Sequence, residues 1–406
     1  MSSNSSIINV DIGPDDPLFW RLPTPGNCKT IRIVGIFLCL AAYTGFVLNG
    51  SLLASFIRHK ALRTPPNIFI MFMSAVGVFA CCANLPLSGT SSIFCYWLYN
   101  RAGCQVEGFA AFLYGCSSCY LLCTVSLSRC YIVIRPFNAK DVTVMKCIII
   151  AVTAVLLAVI VTILPLVGWN EYTLEVTRTS CCTNLFDRRT SYISYNLFIF
   201  VVVYCLPLAI LVTSNTIIFI GLRRMREKLA HGAKAELSQK RIEMERRILK
   251  SVIITVFGFV FTWTPYAVTF FISAFSKSNY APPLMATFIC ACFAKTSVMW
   301  IPLLYMSTST QFRLSLVDTS AFDKLSATTT AAGEGSKACL HLYPFYFNSS
   351  ILTFTNKTVY GIWKTVVSCN TNPSLNGSNV SNYYPSAKSN SIIDTNICIK
   401  YIHFGS

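Results

Sequence analysis

Lys295 lies inside an apolar run, Phe288 to Tyr305, that reads FICACFAKTSVMWIPLLY. Counted inward from residue 283, it sits about 12 residues, or about 18 Å, from the end of the run at about 1.5 Å per residue. That is too deep for its amine to snorkel comfortably to water. A lone ammonium there would lose its hydration, so the residue either gives up its proton, pairs with a carboxylate, or is not a free amine. A desolvated lysine becomes a nucleophile toward carbonyl compounds, and the imine so formed is protonated again if an acid stands close by. Glu107, one turn inside another apolar run in GCQVEGF, is the candidate acid. Alone it reads as an interfacial glutamate reaching for headgroups; beside Lys295, each explains the other. A pair that only held two helices together would contribute little stability.

Both residues must be carried by elements that cross a membrane. Of 406 residues, 54% are hydrophobic and 12% charged, about half the usual charged share, which argues against a water-soluble enzyme. Seven windows, near 33–57, 68–93, 105–130, 144–167, 194–221, 250–275 and 283–306, are long enough for a hydrocarbon core of about 30 Å. Lipid offers no partner to a bare backbone N–H or C=O, so such segments are helices or barrel strands, and barrel strands are shorter and alternate. The expected fold is an all-α membrane protein of seven transmembrane helices. No cleavable signal peptide is read at the start; the first span serves as its own insertion signal. With the N-terminus outside, the inner connections carry 17 Lys and Arg and the outer segments 8, so basic-residue bias places the N-terminus outside and the chain after about 307 in the cytoplasm. The expected layout is an extracellular 1–32, a membrane domain 33–306, a short amphipathic cytoplasmic helix within 307–320 and a tail 321–406.

This topology accounts for the formal charge of +17 without nucleic acid, and no zinc spacing, phosphate loop or stacking module competes. Most of the 19 Cys, among them Cys81, Cys82, Cys116, Cys119, Cys123, Cys290 and Cys292, fall inside spans, where a thiol packs as a small hydrophobe. Cys104 begins the third span on the oxidising side, and Cys181 and Cys182 share the loop before the fifth, so a bridge from Cys104 to one of the two is expected. Asn4 is a glycosylation site on the outer side; Asn348, Asn356, Asn376 and Asn379 match the same motif on the inner side, where it is chance.

Several stretches together resemble the opsins, the retinal-binding members of the rhodopsin-like G-protein-coupled receptors. They are Asn49 in GFVLNGS, Cys104 and Glu107 in GCQVEGF, Arg129 in LSRCYIVIRP, GWNEYTLE before the Cys pair, Pro207, Trp263, Pro265 and Tyr266 in FTWTPY, and Lys295 in FAKTS followed by PLLY and QFR. The resemblance covers roughly residues 30 to 315. It implies that Lys295 holds retinal covalently as a protonated Schiff base, that Glu107 is the counterion and that Glu175 is an alternative counterion. Ala111, Gly115, Cys116, Tyr204, Phe259, Trp263, Tyr266, Ala267, Ala291 and Ala294 would line the pocket. Photoisomerisation would strain Trp263 and the Pro265 kink, swing the inner end of the sixth helix outward and open a cleft for a heterotrimeric G protein framed by Arg129, Arg135, Glu245 and Arg246. The Ser- and Thr-rich tail would offer sites to a receptor kinase and arrestin. The resemblance implies a non-enzymatic receptor in a plasma or photoreceptor membrane.

Five positions depart from the family pattern. Ser128 stands where an acid normally precedes Arg129, Cys130 where a tyrosine follows it, Gly77 where the second helix carries Asp, and Ile301 where Asn precedes Pro302; Asn215 replaces a tyrosine of the fifth helix. Losing Asp and Asn together strands no buried partner. Glu245 remains a candidate partner for Arg129. Light sensing is therefore the firmer expectation, with a retinal photoisomerase of weak or no G-protein signalling as the alternative and a chemical-ligand receptor as a third reading.

Overall fold

The computed structural model describes residues 14–229, 235–275 and 282–309. Ten α-helices are formed among them: α1 Cys28–Arg58, α2 Pro65–Ala83, α3 Leu85–Phe94, α4 Asn100–Ile134, α5 Val144–Ile163, α6 Thr190–Ile199, α7 Leu206–Leu229, α8 Ala235–Phe275, α9 Leu284–Lys295 and α10 Ser297–Thr308. Six spans are long and apolar enough to cross a membrane, and α9 with α10 makes a seventh, bent by 40°.

Hydropathy follows position in the bundle. The α5 span has a mean hydropathy of 3.2 and is one-third buried, whereas the α4 span has only 1.5 and is 72% buried. A central helix meets other helices rather than lipid and can carry polar groups. Large apolar side chains such as Ile33, Leu40, Leu156 and Ile160 stay exposed, as a lipid-facing surface requires. Small residues let helices approach: a Cβ on Gly35 would lie 2.7 Å from the Gly89 carbonyl oxygen, drawing α1 against α3.

The spans differ from the continuous helices expected. The second starts at Pro65 and is interrupted at Asn84, two residues before Pro86, which has no N–H to give. The fifth starts at Thr190, and a π-helical stretch, Phe200–Cys205, separates α6 from α7 just ahead of Pro207. The seventh breaks at Thr296, whose hydroxyl donates to the Phe293 carbonyl at 2.7 Å; such back-bonding bends a helix. The basic stretch between Arg223 and Lys250 is helical over most of its length, since α7 reaches Leu229 and α8 begins at Ala235.

Beyond a short 3-10 turn, Leu164–Val167, the loop between α5 and α6 is not helical. It folds as a two-stranded antiparallel hairpin, β1 Tyr172–Leu174 with β2 Cys181–Thr183. Gln105 of α4 donates to the Tyr172 carbonyl at 2.9 Å, and Gly108 leaves room for the Tyr172 ring. A Cys104–Cys181 disulfide ties the hairpin to α4, so Cys181 is the bridged member of the pair, and Cys182 is a free, buried thiol. A second disulfide, Cys28–Cys95, joins α1 to the end of α3 and was not anticipated. Asn4, the amphipathic helix after the seventh span and the tail sites lie outside the described residues.

Candidate functional site

Lys295 is the last residue of α9 and is 8% exposed; Glu107 of α4 is fully buried. The Lys295 Nζ donates to Glu107 Oε1 at 2.6 Å and to Ser88 Oγ at 2.9 Å. The Ser88 hydroxyl in turn donates to the same Glu107 oxygen at 2.6 Å. The other oxygen, Oε2, accepts from the Cys181 backbone N–H at 2.8 Å. Two elements, α3 and α4, thus meet the ammonium, β2 reaches the carboxyl from its far side, and the carboxyl has three donors. A buried charge is tolerable only with this degree of pairing.

Glu175 lies just after β1 and is also buried. The Ser180 hydroxyl donates to its Oε2, and its own N–H donates to the Ser180 carbonyl at 2.8 Å. Burial pushes the Glu175 carboxyl above its usual range, while positive Lys295 and the Ser180 hydroxyl oppose that rise. Glu107, not Glu175, makes the direct contact with the amine.

Beside Lys295 opens a cavity of about 930 Å³, counting its mouth. Ala111, Gly115 and Cys116 line one side from α4; Phe259, Trp263, Tyr266 and Ala267 line another from α8; Ala291 and Ala294 come from α9 and Tyr204 from the π stretch. Lys295, Glu175 and Cys181 also reach it. The Trp263 ring fills the space a Cβ on Gly115 would need, 2.5 Å away, and its indole N–H donates to Ser297 at the start of α10 at 3.0 Å. Tyr204 donates to Thr264 at 3.1 Å, holding the π stretch to α8.

Sequence reasoning missed Ser88, Asn84 and the Cys181 N–H. Ser88 had a signal, as a polar residue in the middle of an apolar span; the backbone donor had none. Asn84 is buried, borders the cavity, and its Oδ1 has no hydrogen-bond partner.

At the inner end Arg129 is half-buried, and Arg135 and Arg246 are exposed. Glu245 belongs to α8, but its side chain lies outside the described residues. The Ser128 hydroxyl donates to its own helix at Val125, 2.8 Å away. A Cβ on Gly77 would lie 2.6 Å from Asn49 Oδ1, so Asn49 occupies the space a larger residue would need. Asn49 spends its amide on the Gly45 and Val298 carbonyls, each at 2.8 Å, with Ile301 buried nearby on α10. Asn215 donates to the Leu211 carbonyl at 2.8 Å and to Ser126 Oγ at 3.4 Å.

Residues 48–305 match the family 7 transmembrane receptor (rhodopsin family). The chain is 26% identical over 307 residues to the GQ-coupled rhodopsin of Mizuhopecten yessoensis, an alignment covering 74% of this chain and 61% of that protein. It is 30% identical over 300 residues to the rhodopsin of Sargocentron diadema, covering 72% and 82% respectively. The fold aligns with the crystal structure of squid rhodopsin at a TM-score of 0.69 and 24% identity, over 79% of this chain and 99% of that one. The first of these relatives is longer, and the chain spans about three-fifths of its length. The chain is a multi-pass membrane protein that belongs to the rhodopsin family of seven-transmembrane receptors and, within it, to the opsins.

Proposed function

We propose that the protein is a light receptor that carries retinal on Lys295 as a protonated Schiff base, with Glu107 as counterion, and that it signals through a heterotrimeric G protein. The single observation that carries the reading is the Lys295 amine, paired at 2.6 Å with Glu107 beside a largely apolar cavity. The cavity fits the group: its lining is mostly aromatic and aliphatic, and Lys295 and Glu175 both border it. Bound retinal supplies a polyene that absorbs light and changes shape.

The residues of the chain do the rest. Glu107, with Ser88 and the Cys181 N–H, balances the positive charge on Lys295. Trp263 lines the cavity and links α8 to α10 through Ser297; displacing its ring breaks that link. Pro265 lies two residues on, inside α8, and frees that helix to bend there. Arg129, Arg135 and Arg246 present positive charge to a partner at the inner face. Phe137, 96% exposed on the turn between α4 and α5, offers the same face an apolar contact.

A second reading, a retinal photoisomerase with weak or no signalling, is favoured by one local observation. Ser128 bonds only into its own helix and cannot supply an acidic latch to Arg129. The test combines retinal extraction before and after illumination with nucleotide exchange on several G proteins. Robust light-dependent exchange is expected and eliminates the photoisomerase; isomer conversion without exchange eliminates the receptor. Lys295→Ala abolishes covalent retention of retinal, read as loss of the retinyl adduct by mass spectrometry after borohydride reduction, and retention in that variant would overturn the lysine assignment.

A further inference from the structure

The helix that carries Ser88 continues the second span beyond a break at Asn84, where Pro86 contributes no backbone donor and the Ser88 N–H reaches the Asn84 carbonyl at 3.2 Å. Three ties fasten it to α1. At the outer end Cys28, the first residue of α1, is bridged to Cys95, the C-cap of α3, with Cα atoms 5.6 Å apart. One turn down, Arg32 donates to the Ile93 carbonyl at 3.0 Å. One turn further, Gly35 and Gly89 bring the two backbones almost into contact. Ser88 is the neighbour of Gly89 and lies about 10 Å below Cys95 along the helix axis.

The two disulfides differ in access. Cys104 and Cys181 are 0% and 1% exposed, whereas Cys95 is 8% exposed and its partner Cys28 is half-buried at the outer surface. A reductant outside the cell reaches the Cys28–Cys95 bridge first.

We propose that the Cys28–Cys95 bridge is a clamp on Ser88: by fastening the outer end of α3 to α1, it keeps the Ser88 hydroxyl between Lys295 and Glu107, and opening it loosens that contact. An external dithiol opens the clamp by breaking one S–S bond; it gives up two electrons and two protons to form the Cys28 and Cys95 thiols and leaves as its own disulfide. Ser88 is a positioning residue, acting through Glu107. The spectroscopic arm of the test rests on the retinal reading; the exchange arm does not.

In the retinal-loaded protein, the pH midpoint of the visible band reports how well the charge on Lys295 is held. The groups facing that charge are Glu107 from α4, Glu175 and Cys182 from the hairpin loop, and Cys292 on α9. Ser88→Ala lowers the midpoint by about one pH unit, a tenfold change in proton concentration, and Ser88→Thr restores it. Mild dithiol treatment that frees Cys28 and Cys95 but not Cys104 and Cys181, verified by thiol mapping, lowers the midpoint of the unmodified protein and has no further effect on Ser88→Ala. The Cys28→Ser/Cys95→Ser double variant, made in parallel, behaves as the reduced protein does. In the ligand-free protein, the amides of 85–94 exchange faster after reduction, and those of α4 do not. An unmoved midpoint with the thiols demonstrably free, additive effects of reduction and Ser88→Ala, or unchanged exchange in 85–94 each overturns the clamp. A colourless unmodified protein overturns the retinal reading, and exchange then judges the clamp alone.

Discussion

Two carboxyl groups stand near Lys295, and their environments divide the work between them. Glu107 touches the amine directly and is fed by two further donors; Glu175 is held back by Ser180. In the retinal-loaded protein, Glu107→Gln is therefore expected to lower the pH midpoint of the visible band by more than one unit, each unit being worth about 1.4 kcal/mol, while Glu175→Gln changes it much less. A spectrophotometric titration of both variants decides, and the reverse order would make Glu175 the effective counterion. Glu175 has a second consequence. Its folded-state affinity for a proton exceeds that of the unfolded chain because burial disfavours the anion. The native state thus holds more protons than the unfolded state above the usual carboxylate range, and stability falls as pH rises through that window. Glu175→Gln, which keeps a partner for Ser180, should flatten this part of the profile, measured as melting temperature against pH.

Close approaches between helices make equally sharp demands. Gly115→Val places methyl groups where the Trp263 ring lies, so the ring must move or the helices part. A stability loss of about 1–3 kcal/mol is expected, together with a shift of the retinal absorption maximum; a variant as stable as the parent with an unshifted band would show that Trp263 does not sit against Gly115. At Gly77 the Asn49 side chain already fills the space, so Gly77→Asp buries a carboxylate against an amide committed to other partners and should lower the melting temperature. These contacts also explain what could be read without coordinates. Lys295 and Glu107 were legible because a charge inside an apolar run is anomalous in one dimension. The seven spans were legible for the same reason of composition. Ser88 was not, because its meaning depends on which helix stands opposite. The break at Thr296 was not, because it turns on where one hydroxyl finds its acceptor. Cys28 and Cys95 lie just beyond the edges of the apolar windows, on the side where bridges form, and their pairing needed the geometry of α1 and α3.

Over the whole molecule, the orientation follows from the distribution of basic residues, and a single modification tests it. Among the N-x-S/T motifs, Asn4 alone precedes the first span, so glycosidase treatment should change the mass at Asn4 and nowhere between 310 and 406. Sugar on Asn348, Asn356, Asn376 or Asn379 would invert the topology.

The seventh span is two rods rather than one, and the lysine closes the outer rod while Ser297 opens the inner one. The pigment would therefore be moored at a joint. α10, 12 residues or about 18 Å long, works from that joint as a lever arm: Trp263 grips its near end at Ser297, and Tyr305 toward its far end donates to Asn67 at 3.0 Å. A tilt of about five degrees at the joint would carry Tyr305, about 12 Å along at about 1.5 Å per residue, through roughly 1 Å, enough to strain the tyrosine's hold on its acceptor.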